Sequence, residues 1–324
     1  MNERQSIGGF FELEINDLGS LYHYNAFALN TGRNALEHIL NCKKYTHVYI
    51  PYYTCDVILE PLEKTSTPYT FYHIDNNFLP LLSKINSTEA LLYTNYFGLM
   101  GNNIHLLKRK FENLIIDNSQ AFYDMPHPTI PTFYSPRKFF GLPDGSFVYH
   151  ANEISCKNYP IDHSYERCSH LLKSTDLSKE LSYNDFKLND AKLINQPIKQ
   201  MSLLTSKIIR GIDFEKIKTQ RITNFNYLHQ QLKSTNLLTP FIEKAKYVCP
   251  MVYPYFATDN EALRKKLIAN KIFVAQYWPN VLNWVENDSF EFKLTQNIIH
   301  LPIDQRYNEN ELKIVIELTL EKHP

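Results

Sequence analysis

Short apolar runs alternate with helically spaced segments through the first half of the chain. His47-Val48-Tyr49-Ile50, stopped by Pro51, has the β-branched and aromatic content of a strand. Cys55, Ile58, Leu59 and Leu62 then fall along one face of a helix. Tyr69 to Ile74, Ala90 to Asn95 and Asn113 to Asp117 read as further strands, with a short helix near 103–111. Strands of this length alternating with helices imply βαβ units, so an α/β fold with a large, mainly parallel sheet is expected. In such sheets ligands sit beyond the carboxyl ends of the strands, which is where Asp117 stands.

Upstream, Thr31 is a good N-cap for a helix whose apolar face is Leu36, Ile39 and Leu40. Residues 7–14 read as an ordered amino-terminal arm. Thr132 onward is an aromatic strand that leads through Lys138 to a Pro143-Asp144-Gly145 turn. From Val148 to about Leu193 the pattern is polar and irregular, as expected of an excursion or a connection. Helical spacing returns from Met201 to Ile217, and a long helix follows carrying Arg221, Phe225, Leu228 and Leu232. Strand-like Tyr247–Phe256, a helix near 260–270, a strand at Lys271-Ile272-Phe273-Val274, Ile298–Ile303 and a closing helix from Asn310 complete a smaller α+β part. The expected division is 1–200 for the large domain with its arm, and 201–324 for the connecting helices and carboxyl-terminal domain.

A chain of 324 residues that is 44% hydrophobic can bury a full core, so disorder is not expected. Lys+Arg and Asp+Glu are both 34, which leaves no net basic field for a nucleic-acid backbone. Five cysteines without a C-x-x-C pair suit free thiols in a reducing compartment. Neither a signal-peptide pattern nor an apolar run long enough for a membrane span is present, so a cytoplasmic protein is expected. The 12 histidines show no metal spacing, and no metal is expected.

Four positions carry candidate chemistry. The Thr31-Gly32 helix start offers free backbone N–H groups and a positive dipole end to a phosphate. Asp117, ending a strand, is either an N-cap or ion-pair partner, or an acid that keeps a cofactor's ring nitrogen protonated. Gln120 follows it by three residues. Lys138, beside Phe139 and Phe140, is either a cation whose stem covers apolar neighbours or an amine held in a dry pocket as a nucleophile.

The order of these pieces resembles the DegT/DnrJ/EryC1/StrS sugar aminotransferases, fold-type I enzymes that use pyridoxal 5'-phosphate (PLP). Thr31-Gly32-Arg33-Asn34-Ala35-Leu36 is similar to the family's Ser-Gly-Thr-Ala-Ala-Leu, and Pro51-Tyr52-Tyr53-Thr54 to its Pro-x-x-Thr. His73-Ile74-Asp75 resembles Asp-Ile-Asp, and Asn95-Tyr96-Phe97-Gly98 resembles His-Leu-Tyr-Gly. Asp117-Asn118-Ser119-Gln120-Ala121 resembles Asp-Ala-Ala-Gln-Ala, and Pro136-Arg137-Lys138 resembles Pro-Thr-Lys. Leu142-Pro143-Asp144-Gly145, Met201-Ser202, Arg221 and Leu301-Pro302-Ile303 are similar to later family segments. The sequence departs from the family at Phe133, where a serine is usual, at Cys55, where an aromatic stacks on the cofactor, and at Ser146, where a second glycine is usual. The Asn and Arg that cross to the partner subunit have no clean equivalent; Asn195, Lys199 and Gln200 are nearest.

The resemblance implies Lys138 as the Schiff-base lysine and acid/base catalyst, with Asp117 on the ring nitrogen and Gln120 near the 3-hydroxyl. Gly32, Arg33 and Ser135 would hold the phosphate. It implies a homodimer that moves an amino group, with glutamate the expected donor, to a nucleotide-linked keto-sugar for surface polysaccharide or deoxyaminosugar synthesis. The rival readings are a catalytically degenerate relative serving in binding or assembly, and a PLP-dependent sugar dehydratase. Retention of Lys138 argues against the dehydratase, whose relatives carry histidine there.

Overall fold

The structure, a computed structural model, describes residues 9–19, 21–151, 155–257 and 260–321. Its strands in chain order are β1 (Phe27–Leu29), β2 (His47–Pro51), β3 (Tyr69–Tyr72), β4 (Glu89–Thr94), β5 (Leu114–Asp117), β6 (Thr132–Tyr134), β7 (Ser146–Tyr149), β8 (Tyr253–Phe256) and β9 (Ile298–Leu301). The first seven form one sheet in the order β1-β7-β6-β5-β4-β2-β3. From β6 to β3 every pairing is parallel, while β7 runs antiparallel to both β6 and β1. The α/β architecture with a mainly parallel sheet is therefore as expected.

Alternation along the central strands explains the layering. Ala90 and Leu92 of β4 and Ile115 of β5 join one core, beneath the helix Gly32–Lys43. Leu91, Tyr93, Leu114 and Ile116 join the other, larger core on the opposite face. Successive side chains point to opposite faces, so a strand buried on both sides reads as a continuous apolar run. Strands β8 and β9 form a separate antiparallel pair. The long helix Phe214–Leu232 packs beside β8, placing Phe225, Leu228 and Leu232 in the larger core.

Several elements differ from the sequence reading. Two helices, Ser169–Asp176 and Lys179–Lys192, occupy the stretch expected to be irregular, and they pack on each other. In the second, the buried positions are Ser182 and Asn189 while Leu181 and Leu188 are exposed, so no apolar stripe marked it. Lys271–Val274 is not a strand: Lys271 has φ 61°, and only Ala275 makes a bridge, to His300. The Tyr247–Phe256 strand is confined to β8. The 201–217 helix stops at Arg210, and Asp213 caps a new one, accepting from the Lys216 N–H at 3.0 Å.

Of the expected arm, residues 7 and 8 lie outside the described ones. Beyond them the arm is tethered by Glu12 to Lys207 at 2.5 Å and by Asp17 to Arg210 at 2.8 Å.

Gly98 is the glycine that the fold requires most. Its φ is +73°, and a Cβ there would lie 2.9 Å from the Gln120 carbonyl oxygen and 3.1 Å from that of Cys249. Gly98→Ala is expected to cost at least about 1–3 kcal/mol through left-handed strain and displaced backbone. Urea unfolding monitored by circular dichroism measures that loss.

Candidate active site

The carboxyl edge of the sheet gathers the loops that carry the candidate residues. Thr31, at the end of β1, caps the helix Gly32–Lys43, its hydroxyl oxygen accepting from the Asn34 N–H at 3.1 Å. The Ala35 N–H is taken by the Thr31 carbonyl. The N–H groups of Gly32 and Arg33 remain as orphan donors of the first turn. The Arg33 side chain is committed elsewhere, donating to the Leu193 carbonyl at 3.2 Å and lying 3.4 Å from Glu60. Only its backbone N–H is available at the helix start.

Opposite that start lie two hydroxyl residues. A Cβ built on Gly32 would be 3.9 Å from Ser135 Cβ and 4.0 Å from Ser119 Oγ, so the missing side chain leaves a small cradle between them. Ser135 follows β6, in place of Phe133, which is buried in the core beneath the helix. Ser119 was not singled out from the sequence. It is brought in by an Asx-type turn, its N–H donating to Asp117 Oδ1 at 2.8 Å. The Asp-Asn-Ser pattern itself was the signal.

Asp117 ends β5 between Thr94 of β4 and Phe133 of β6. Gln120 is 1% exposed, and its Oε1 accepts from the Phe97 N–H at 2.7 Å. Its Nε2 is buried without a partner among the described residues. A buried amide left with unused donors is costly, and it fits a ligand oxygen. Lys138 closes the turn Pro136–Lys138 after β6. In the single chain its side chain is exposed, and the burial expected of it falls on Phe139 and Phe140.

The turn after Lys138 is anchored by Asp144, a fully buried carboxylate that accepts from Arg167 and Thr205. Burial pushes the Asp144 carboxyl up, against these two donors. The Gly145 N–H donates to the Asn30 carbonyl at 2.6 Å, joining the lysine turn to the residue before Thr31. In the sequence Asp144 reads only as part of a turn.

Cys55 stands half-buried beside Lys138. Burial raises its thiol pKa, partly offset by the Val57 backbone and the Lys138 charge. Neither neighbouring tyrosine substitutes for it as a ring to stack: Tyr52 stacks on Phe71 at 4.8 Å, and Tyr53 is buried against Tyr96 and Trp278. Of the three residues nearest the family's partner-reaching pair, Lys199 and Gln200 are bonded within their own chain by side chain and Asn195 by backbone only. Asn195 N–H donates to Glu60, the Lys199 ammonium lies 3.0 Å from Asp162, and Gln200 donates to the Tyr159 carbonyl at 2.6 Å. A recess of about 470 Å³ lined by Lys44, Thr88, Lys108 and Asn113 lies at the opposite, amino edge and has no part in this arrangement.

The chain shares its fold with solved structures that include DegT/DnrJ/EryC1/StrS-type sugar aminotransferases, matched over about 90% of the chain. DesV of S. venezuelae, in complex with a ketimine intermediate, is 14% identical with a TM-score of 0.63, over 91% of this chain and 83% of that one. A sugar aminotransferase from Streptococcus pneumoniae in its PMP form is 14% identical with a TM-score of 0.62, over 90% and 86%. DesI in the presence of its TDP-sugar product is 11% identical with a TM-score of 0.61, over 91% and 79%. By sequence, no family model and no curated protein matches the chain. Among the described residues no helix is long and apolar enough to cross a membrane.

Asp124, seven residues beyond Asp117, sets a pH dependence. Burial pushes its carboxyl up to about 6, although Asn95 and the Val248 backbone hydrogen-bond it. The folded state therefore holds this proton more tightly than the unfolded state, and stability falls as pH rises from about 4 to about 6. Asp124→Asn is expected to remove about 2–3 kcal/mol of that fall. The difference between wild-type and variant denaturation curves across this window isolates it.

Proposed function

We propose that this chain is a PLP-dependent aminotransferase acting on a nucleotide-linked keto-sugar, with glutamate as the amino donor. The observation that carries the reading is the grouping at one sheet edge of Lys138, Asp117, the unpartnered Gln120 Nε2 and the Gly32–Ser119–Ser135 cradle. That donor set fits the cofactor: hydroxyls and helix-start N–H groups for a phosphate, a carboxylate for a ring nitrogen, an amide for a ring oxygen, an amine for an aldehyde. When bound, PLP supplies an electron sink for charge that develops at the substrate carbon.

In this reading, the Gly32 and Arg33 N–H groups hold the phosphate with the Ser119 and Ser135 hydroxyls. Asp117, steadied through Oδ1 by the Ser119 N–H, keeps a proton on the ring nitrogen. Gln120 Nε2 donates to the ring oxygen, which uses its unsatisfied donor. Lys138 Nζ would anchor the cofactor and would move a proton at the reacting carbon. The PMP and PLP forms of the S. pneumoniae neighbour support the cofactor, and DesI with its TDP-sugar supports the nucleotide-sugar class. A homodimer and a role in polysaccharide or deoxyaminosugar synthesis belong to the same proposal.

Purified protein mixed with PLP is expected to turn yellow, and Lys138→Ala to stay colourless in the visible band that reports covalent loading. Glutamate should bleach the loaded wild type to a pyridoxamine-type spectrum; an unchanged spectrum would exclude glutamate as donor.

Cys55 offers no aromatic face. Cys55→Phe is therefore expected to tighten cofactor binding by about 0.5–1.5 kcal/mol, roughly two- to tenfold. Titration of PLP into the colourless Lys138→Ala background reads this out.

A further inference from the structure

The proposed chemistry leaves Arg221 without a task, yet its placement is costly. The side chain is 1% exposed. Asp304, whose field reaches it, is engaged instead by Arg306 through hydrogen bonds of 2.7 and 2.8 Å. A buried guanidinium is tolerated only when its donors are used well. Nε has no hydrogen-bond partner among the described residues, while Nη1 and Nη2 are spent on two routes that lead to the candidate site.

The first route runs to the lysine. Arg221 Nη1 donates to Gln305 Oε1 at 3.0 Å, and Gln305 Nε2 donates to the Phe139 carbonyl at 2.9 Å. The guanidinium also lies 4.6 Å over the Phe139 ring. Ring and carbonyl of the residue directly after Lys138 are thus gripped together. The second route runs to the glutamine. Arg221 Nη2 donates to the Met251 carbonyl at 2.6 Å, the Met251 N–H to the Phe97 carbonyl at 2.8 Å, and the Phe97 N–H to Gln120 Oε1 at 2.7 Å. Phe97 has φ +60°, a conformation that its neighbours must hold in place.

We infer that Arg221 is a positioning residue that sets Lys138 and Gln120 relative to one another around the bound cofactor, acting through Gln305 on the one side and Met251–Phe97 on the other. The inference rests on the PLP reading of the site. Its planar fork is what allows one side chain to serve both routes, so lysine is not an equivalent replacement.

Gln305→Ala cuts only the route to Lys138. Covalent loading of PLP on Lys138, followed by visible absorbance and verified by borohydride trapping and peptide mass mapping, should slow about tenfold as alignment is lost. Noncovalent PLP affinity, measured in the Lys138→Ala background, should not change with Gln305→Ala, because the Gln120 route is intact. Arg221→Lys should lower both. Gln305→Ala decides the matter even where Arg221→Lys does not fold. Wild-type loading rates in Gln305→Ala would overturn the inference and leave the PLP reading standing. So would an equal loss of noncovalent affinity, which marks a merely loosened fold. A wild type that does not load PLP at all overturns the PLP reading itself, and with it this inference.

Discussion

Everything at the candidate site depends on where the helix Gly32–Lys43 begins. Leu36, Ile39 and Leu40 seat it on the face of the sheet formed by Ala90, Leu92 and Ile115. That packing brings its amino end, with orphan N–H groups and a partial positive charge, against the loops that follow β5 and β6. Because Gly32 has no side chain, Ser119 and Ser135 stand across an open cradle from it. Shift the helix by one turn and those hydroxyls would face a side chain instead.

The lysine turn is held to the same frame from two directions. On one side the Gly145 N–H reaches the Asn30 carbonyl, and Asp144 is locked by Arg167 and Thr205. On the other, Phe139 is gripped by Arg221 and Gln305 from the carboxyl-terminal half. Lys138 itself makes no side-chain hydrogen bond among the described residues, so its placement is borrowed from its neighbours. The result is an exposed amine on an anchored turn at the carboxyl edge of the sheet.

The departures from the resembling family change the site without dismantling it. Phe133 is lost to the core, but Ser135 and Ser119 supply hydroxyls beside Gly32. Cys55 puts a small thiol where an aromatic ring is usual, and Tyr52 and Tyr53 are engaged in other aromatic contacts. The Lys199 and Gln200 side chains are spent within their own chain, whereas Asn195 is tied there through its backbone N–H.

Local pattern alone determined the parallel sheet, the Thr31-capped helix and the strand-end position of Asp117, because each follows from periodicity and capping over a few residues. Order along the chain also marked Gln120 and Lys138, and the family resemblance added Ser135. The helix Lys179–Lys192 stayed hidden because polar residues fill its buried positions, and Lys271–Val274 misled because apolar content alone does not secure a strand partner. Tertiary structure alone decided that Ser119 faces Gly32, that Gln120 Nε2 has no partner among the described residues, and that Arg221 bonds Gln305 and Met251. Those facts rest on contacts between segments tens to more than a hundred residues apart, and no local spacing encodes which of the many polar side chains will be left to meet.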